Sequence, residues 1–269
     1  MNFPRVLFIP DQYTDYRLWS DIPERLQGRA LVIHYDQHAQ VPWSAVNGDF
    51  LDAARRLAGD SSFDIVVAAG QAARFGFALA EAGLAKGVVF FQPSLDSIPD
   101  DVDVTIPEDD LARMSDDMDN LYQPFVDTAF DEEDPERQRE MFVALMRDAA
   151  RRDAARGIDP PEFEAGLAMY SDHAGEFFAD MRAIKAAVGD GRPEPDPPWL
   201  ESPWIDRLGE LAIPVTAVVL PRNRSYGEAI ARRARDAEIV EAEGIAGLAP
   251  PADRAKGAEA ALRMLDRIA

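Results

Sequence analysis

The stretch that decides the fold is Phe63-Asp64-Ile65-Val66-Val67-Ala68-Ala69-Gly70-Gln71-Ala72-Ala73-Arg74. The apolar run from Ile65 to Ala68 has the length and composition of a short buried strand. Small residues follow it, and a helical pattern then begins near Gln71 and continues to Ala82, with Gly83 placed to end the helix. The stretch therefore predicts a strand, a tight turn and a helix in immediate succession.

Other apolar runs alternate with helical segments in the same way. Strands are predicted at Arg5 to Ile9, 31–34, 88–91, 213–220 and 238–241, and helices at 43–57 and 226–235. Continuous apolar runs are typical of parallel strands that are covered on both faces. The alternation predicts an α/β fold with a mostly parallel, doubly wound sheet and right-handed crossovers.

Composition restricts the classes of partner. The 269 residues are 47% hydrophobic and include 28 basic against 49 acidic side chains, for a net charge of −21. This balance argues against general binding of nucleic acid or of anionic membranes. The chain has no cysteine, no leader pattern and no apolar run long enough for a membrane span. We therefore expect a cytoplasmic protein.

In the strand–turn–helix stretch, Ala68 to Ala72 occupy five positions that resemble the G-x-S-x-G nucleophile elbow of the α/β-hydrolase family. Gly70 stands where that family has its serine. The segment from Pro10 to Trp19 is similar to the family's loop after an early strand, with Gln12 at the position of an oxyanion-hole residue and Trp19 at that of a tryptophan. The resemblance implies the α/β-hydrolase type of sheet.

The resemblance also identifies the positions at which the family has the acid and the histidine of its catalytic triad. The acid position falls on Arg224, next to Asn223, and the histidine position falls on Leu248, or on Ile245 if the register slips. With glycine at the nucleophile position as well, Ser-His-Asp acyl transfer is rejected, because it needs an activated nucleophile and a positioned base.

Residues 95–203 have a different pattern, without a convincing strand. Helices are predicted at 108–118, 136–156, 161–170 and 176–188. The resemblance implies that this segment is a cap or lid that sets substrate choice, and that the core consists of 1–94 and 204–269. Within the cap, His173 belongs to the one polar cluster that could face a pocket. The alternative is a helix-to-helix junction with Ser171 or Asp172 as N-cap.

Two functions remain open. The first is a repurposed enzyme that uses non-covalent acid–base chemistry for cyclisation, elimination, dehydration or isomerisation of a small hydrophobic, polyketide-like metabolite. The second is a non-catalytic pseudoenzyme that binds a small ligand or a partner protein. A third interpretation, hydrolysis by a directly activated water, needs a carboxylate near the elbow, and Asp11 or Asp96 would supply it.

The candidate residues follow from the first function. Catalytic candidates are Asp11, Tyr13 and Arg224, and candidates for substrate binding are Gln12, Gly70, Gln71, Asn223, Tyr226 and His173. For Asp11 the alternative is a satisfied carboxylate in an Asx-type turn.

No cofactor is expected, since no G-x-G-x-x-G follows a strand. No metal is expected either, because the pair His34 and His38 lacks carboxylate-rich ligand spacing. A homodimer is compatible with the sequence.

Overall fold

The computed structural model describes residues 3–19, 22–26, 28–39, 46–95, 99, 102, 108–129, 131–155, 163–189, 203–242 and 251–269. The chain divides into two compact units, one formed by 1–103 with 197–269 and the other by 104–196. The second unit is inserted between the fourth and fifth strands of the first.

The first unit contains a six-stranded sheet. Its strands are β1 (Arg5–Ile9), β2 (Leu31–His34), β3 (Ile65–Ala69), β4 (Val88–Phe91), β5 (Val215–Val219) and β6 (Ala237–Glu241). Their spatial order is β2-β1-β3-β4-β5-β6, and every pairing is parallel. The predicted fold class, a mostly parallel doubly wound α/β sheet, is confirmed.

Burial explains the apolar runs. Strands β3, β4 and β5 are buried at every position, whereas the edge strands β2 and β6 are partly exposed. The described α-helices of this unit are α1 (Ile22–Arg25), α2 (Tyr35–Ala39), α3 (Val46–Ala58) and α4 (Ala73–Glu81) before the insertion, and two α-helices that follow β5 and β6. Continuous apolar strands belong in the middle of such a sheet because both of their faces are covered.

The predicted strand–turn–helix is present. Strand β3 ends at Ala69, Gly70 has φ +50°, and a 3-10 turn over Gly70–Ala72 leads into α4. The helix therefore begins two residues later than the sequence predicted, because its first residues form the tighter 3-10 geometry. Gly83, with φ +71°, ends the helix as predicted.

Small residues bring α4 close to the sheet. A Cβ on Gly76 would lie 3.0 Å from the Cβ of Ala68 and 3.2 Å from Cγ1 of Val88. The absence of a side chain at Gly76 therefore permits the short separation between the helix and the strands that carry the elbow.

The second unit is helical. Its described helices are α5 (Glu108–Asp117), a π-helical segment (Met118–Tyr122), α6 (Gln123–Ala129), α7 (Pro135–Ala155), α8 (Phe163–Asp172) and α9 (Ala174–Gly189). They pack around a small core that contains Phe142 and Phe178. The prediction that Ser171 or Asp172 caps a helix start is wrong, because both residues lie in the last turn of α8.

The remaining α-helices belong to the first unit. After β5, a 3-10 turn (Pro221–Asn223) leads into α10 (Arg224–Arg233), and α11 (Pro251–Ile268) closes the described chain. No helix among the described residues is long and apolar enough to cross a membrane.

Candidate functional site

The loop after β1 and the turn after β3 meet at the carboxyl ends of these two strands. Strands β1 and β3 are neighbours, with Ile9 opposite Ala68, so the residues that follow them emerge side by side. The loop is shaped by a turn in which the main-chain carbonyl of Asp11 accepts hydrogen bonds from Thr14 N at 3.1 Å and Thr14 Oγ1 at 2.7 Å. Tyr13, with φ +58°, lies inside that turn.

The carboxylate of Asp11 reaches from this loop to the elbow. Its Oδ1 accepts hydrogen bonds from the main-chain N–H of Gln12 at 2.7 Å and from that of Gln71 at 2.9 Å. A Cβ built on Gly70 would lie 2.1 Å from Asp11 Oδ2, 2.2 Å from Cγ and 2.3 Å from Oδ1. The carboxylate thus occupies the volume into which a side chain at the elbow would project.

The two oxygens of Asp11 differ in their surroundings. Oδ1 is held by two N–H groups, whereas Oδ2 accepts no hydrogen bond from a described residue. The residue as a whole is half-buried.

Opposing effects act on the pKa of this carboxyl group. Burial raises the pKa of the Asp11 carboxyl above its usual range, while the N–H groups of Gln71 and Gln12 and the positive charge of Arg74 act in the opposite direction. Burial is the larger effect, so the carboxyl takes up a proton more readily than a free aspartate does. A carboxyl group with a raised pKa can accept or donate a proton.

Four of the residues predicted from the sequence are therefore brought together: Asp11, Gln12, Gly70 and Gln71. The carboxylate is partly satisfied, as the alternative interpretation expected, but its second hydrogen bond spans sixty residues instead of closing a local turn.

Two further residues at this site were missed. Arg74 lies in the first turn of α4, and the Ser94 N–H donates to the carbonyl of Gly70 at 2.9 Å. Arg74 is in the quoted stretch, and its place just after the elbow was the available signal. Ser94 follows β4, and only the adjacency of β3 and β4 connects it to Gly70.

The predicted residues after β5 form a separate group. Arg224 is exposed, lies 3.0 Å from Glu228 and also pairs with Glu241. The hydrogen bond and charge of Glu228, with the charge of Glu241, raise the pKa of Arg224 further. Asn223 and Tyr226 are half-buried beside it. Within the described residues, no hydrogen bond or ion pair joins this group to Asp11.

His173 lies in the second unit, between α8 and α9. Its N–H donates to the carbonyl of Tyr170 at 3.1 Å, and its Nδ1 lies 3.6 Å from Glu176 Oε1. Its carbonyl accepts hydrogen bonds from the N–H groups of Glu176 and Phe177 at the start of α9. His173 therefore stands at a helix-to-helix junction, as the alternative interpretation proposed.

The described chain contains no group of three or more metal-ligating side chains. Burial, with the nearby His38, lowers the pKa of His34 to about 4, so this imidazole is neutral near pH 7. The sequence candidates Asp96, Ile245 and Leu248 lie outside the described residues.

The chain is similar in structure to several solved proteins. A loop variant of the haloalkane dehalogenase DbeA from Bradyrhizobium elkanii has a TM-score of 0.63 and 16% identity, covering 98% of this chain and 89% of that one. A probable hydrolytic enzyme from Pseudomonas aeruginosa PAO1 has a TM-score of 0.57 and 14% identity, covering 97% and 85%. The enol-lactonase from Burkholderia xenovorans LB400 has a TM-score of 0.53 and 14% identity, covering 99% and 92%.

No protein-family model and no curated protein matches the sequence. At these identities the structural likeness establishes a shared fold, and activity has to be argued from the site.

Proposed function

The chain adopts the α/β-hydrolase fold, and from the carboxylate at its elbow we propose that it is a repurposed enzyme that transfers protons without a covalent intermediate. Its substrate in this proposal is a small hydrophobic, polyketide-like metabolite. Cyclisation, elimination, dehydration and isomerisation of such molecules can proceed by proton transfer alone, and a single carboxyl group can supply it.

The observation that carries the proposal is the position of Asp11. Its carboxylate stands over Gly70, where the resembling hydrolases have a nucleophile. Oδ1 is fixed by two N–H groups, which orient the group, and Oδ2 is the oxygen that exchanges the proton. Because burial raises the pKa of Asp11, its acid and base forms interconvert nearer to neutral pH than those of a free aspartate.

The other residues have secondary roles in the proposal. The main-chain N–H groups of Gln12 and Gln71 position the carboxylate, and Gly70 leaves room for it. With glycine at the elbow and Arg224 at the acid position, acyl transfer by a serine triad is not part of the proposal.

The remaining candidates come from the sequence alone. Tyr13 and Arg224 stay candidate catalytic residues, and Asn223, Tyr226 and His173 stay candidates for substrate contact. The proton-transfer mechanism does not depend on any of these five residues.

One observation favours the second function, a non-catalytic protein that binds a ligand. Both N–H groups that converge at the elbow already donate to Asp11 Oδ1, so a substrate carbonyl finds no free donor there. A protein that only binds a ligand does not need free N–H donors at the elbow. Their hydrogen bonds to Asp11 are therefore compatible with ligand binding. Asp11 is then a structural group that ties the β1 loop to the elbow.

The deciding experiment identifies a substrate and then removes the proton-transfer group. Metabolites that accumulate in the native host when the gene is deleted are supplied to the purified protein and to Asp11→Asn, and products are followed by mass spectrometry. We expect one accumulated compound to be converted by the wild-type protein, with the rate lowered at least about 100-fold in Asp11→Asn, as is typical for loss of a general acid or base.

The asparagine variant preserves shape and can accept the same two N–H bonds, so circular dichroism and thermal unfolding should show an intact fold. If Asp11→Asn converts the compound at the wild-type rate, Asp11 is not the proton-transfer group. If the compound binds without conversion by either protein, the ligand-binding function replaces the enzyme.

A further inference from the structure

We propose that one surface of the second unit, on the helical segment from 108 to 129, is a docking site for a basic amphipathic helix of a partner protein. The surface consists of an apolar stripe along the helical segment and of acidic side chains beside the stripe. The inference goes beyond the proposed function and does not depend on it, because every residue that forms the surface belongs to the second unit.

The apolar stripe consists of four residues at intervals of three and four: Leu111, Met114, Met118 and Tyr122. Helix α5, the π-helical segment and α6 follow one another without a break, and the residues at both junctions, Asp117 and Gln123, have right-handed helical dihedral angles. Residues at these intervals on a helix share one face. The four side chains therefore form one continuous stripe.

The stripe is exposed to solvent. Each of its four residues is between 42% and 55% exposed. The other large hydrophobic residues that the described chain exposes are Phe3, Tyr16 and Leu31, all in the first unit. Apolar side chains gathered in one exposed patch are typical of a surface that binds another protein. The π-helical turn within the stripe agrees with this interpretation, since such turns are frequent at functional sites.

An apolar pocket follows the stripe. Phe125 lies three residues after Tyr122, on the next turn of the helix, and forms one wall of the pocket. The pocket lies between α6 and α9 and is lined by Phe125, Val126, Ala129, Phe177, Phe178 and Met181. A partner helix that lies along the stripe can insert an apolar side chain here, and docked helices are commonly anchored in this way.

The charge beside the stripe selects the partner. Residues 108–129 contain seven acidic side chains and one basic side chain. Glu108 is exposed and lies three residues before Leu111. Asp119 is exposed and lies three residues before Tyr122. Because residues three apart are neighbours on a helix surface, carboxylates stand next to the apolar stripe and complement basic side chains.

One cation already lies against this acidic helical segment. Arg152 of α7 is 2.9 Å from Asp116 and 3.3 Å from Asp117, and it donates to the carbonyl of Asn120 at 3.2 Å. Basic side chains of a partner helix would make the same kind of contact. Charge disfavours two other occupants, because a second copy would bring two acidic helices together and an anionic membrane would repel the surface.

Two synthetic peptides with equal numbers of leucines and lysines test the proposal in a fluorescence anisotropy titration with the full chain. In the first peptide the leucines recur every three to four residues, which gives a helix with one apolar face, and in the second leucine and lysine alternate. The first peptide should bind at least about tenfold more tightly, because only its leucines can all be buried on the stripe. Equal affinities would mean general attraction to an acidic protein and would overturn the proposal.

The double variant Met114→Gln/Met118→Gln removes apolar contacts without changing the charge. It should weaken binding of the helical peptide at least about tenfold. The matched control is Leu31→Gln, which changes a residue of similar exposure in the first unit and should leave the affinity unchanged. Because the replaced side chains are exposed, circular dichroism should show an intact fold for both variants. Wild-type affinity in the double variant overturns the proposal.

A measurement on the wild-type protein needs no variant. With methionine methyl groups labelled for NMR, the signals of Met114 and Met118 should shift when the helical peptide is added, and unmoved signals overturn the proposal. Sedimentation equilibrium and flotation with vesicles of phosphatidylcholine and phosphatidylserine test the other occupants. A dimer, or vesicle binding, that the double variant abolishes would overturn the proposal, whereas a monomer that does not bind vesicles supports it.

Discussion

The carboxyl group of Asp11 occupies the volume that a side chain on residue 70 would need: a Cβ on Gly70 would lie 2.1 Å from Asp11 Oδ2. Each residue therefore restricts the other. Gly70 also has φ +50°, which favours glycine because other residues are strained there. The elbow keeps the backbone geometry of a strand-to-helix turn, and the carboxyl group beside it comes from the loop after another strand, β1.

This relationship predicts a strong energetic coupling between the two positions. Gly70→Ala should destabilise the protein by about 2–4 kcal/mol, because the Cβ displaces the Asp11 carboxylate from two charge-assisted hydrogen bonds and adds strain at a positive φ. In an Asp11→Ala background the same change should cost only about 1–2 kcal/mol, the backbone strain alone. Urea unfolding of the four proteins in this double-mutant cycle gives the coupling. Additive effects would mean that the carboxylate does not occupy the space above Gly70.

A second prediction concerns pH. The pKa of Asp11 is raised by burial, so between the value for the unfolded chain and this raised value the folded protein binds more protons. Stability contributed by this group therefore falls as pH rises through that window. Subtracting the unfolding free energy of Asp11→Asn from that of the wild-type protein at a series of pH values should show this decline. A difference that does not change with pH would show that the carboxyl group titrates as a free aspartate.

His34 should give the opposite slope. Its pKa is lowered to about 4 by burial, so below about pH 6.5 the unfolded chain binds protons that the folded protein excludes. Stability is lost as pH falls from about 6.5 to about 4. Allowing for partial contact with solvent, we expect the wild-type protein to lose about 1–2 kcal/mol more over this range than His34→Gln does.

A second variant, His38→Gln, separates the two causes, because His38 contributes the smaller of the two effects that lower the pKa of His34. It should keep most of the pH dependence that His34→Gln loses. An NMR titration of the His34 ring provides the direct check, and a midpoint near 6.5 would contradict the predicted burial effect.

The packing of α4 on the sheet gives a fourth prediction. Gly76→Val should destabilise the protein by about 2 kcal/mol, because its Cβ would start only 3.0 Å from Ala68 Cβ and its methyl groups need space that the core lacks. Gly175→Ala in α9 is the control, since no atom lies within 4 Å of its added Cβ. That change should stabilise the helix by about 0.5–1 kcal/mol. Equal unfolding midpoints for the two variants would show that α4 is free to move away from the strands.

Local sequence patterns were sufficient to predict much of the secondary structure of the first unit. Arg5–Ile9, Leu31–His34 and Val88–Phe91 form strands at the predicted residues, because short apolar runs of this length favour strands of a covered parallel sheet. Gly83 ends its helix where predicted because a positive φ is a property of one residue. The helical nature of the insertion also followed from its composition.

The chemistry of the site depends on contacts between distant parts of the chain. Asp11 and Gln71 are sixty residues apart, and they meet because β1 and β3 are neighbours and both following turns have residues with positive φ. Arg224, a candidate site residue from the sequence, pairs with Glu228 and Glu241 in an exposed cluster after β5, and only the fold shows these pairings. The sequence specified which residues stand at the elbow and its loops. Only the tertiary structure decided that the Asp11 carboxylate takes the place of the missing side chain, because hydrogen bonds and excluded volume act between atoms that are close in space and not along the chain.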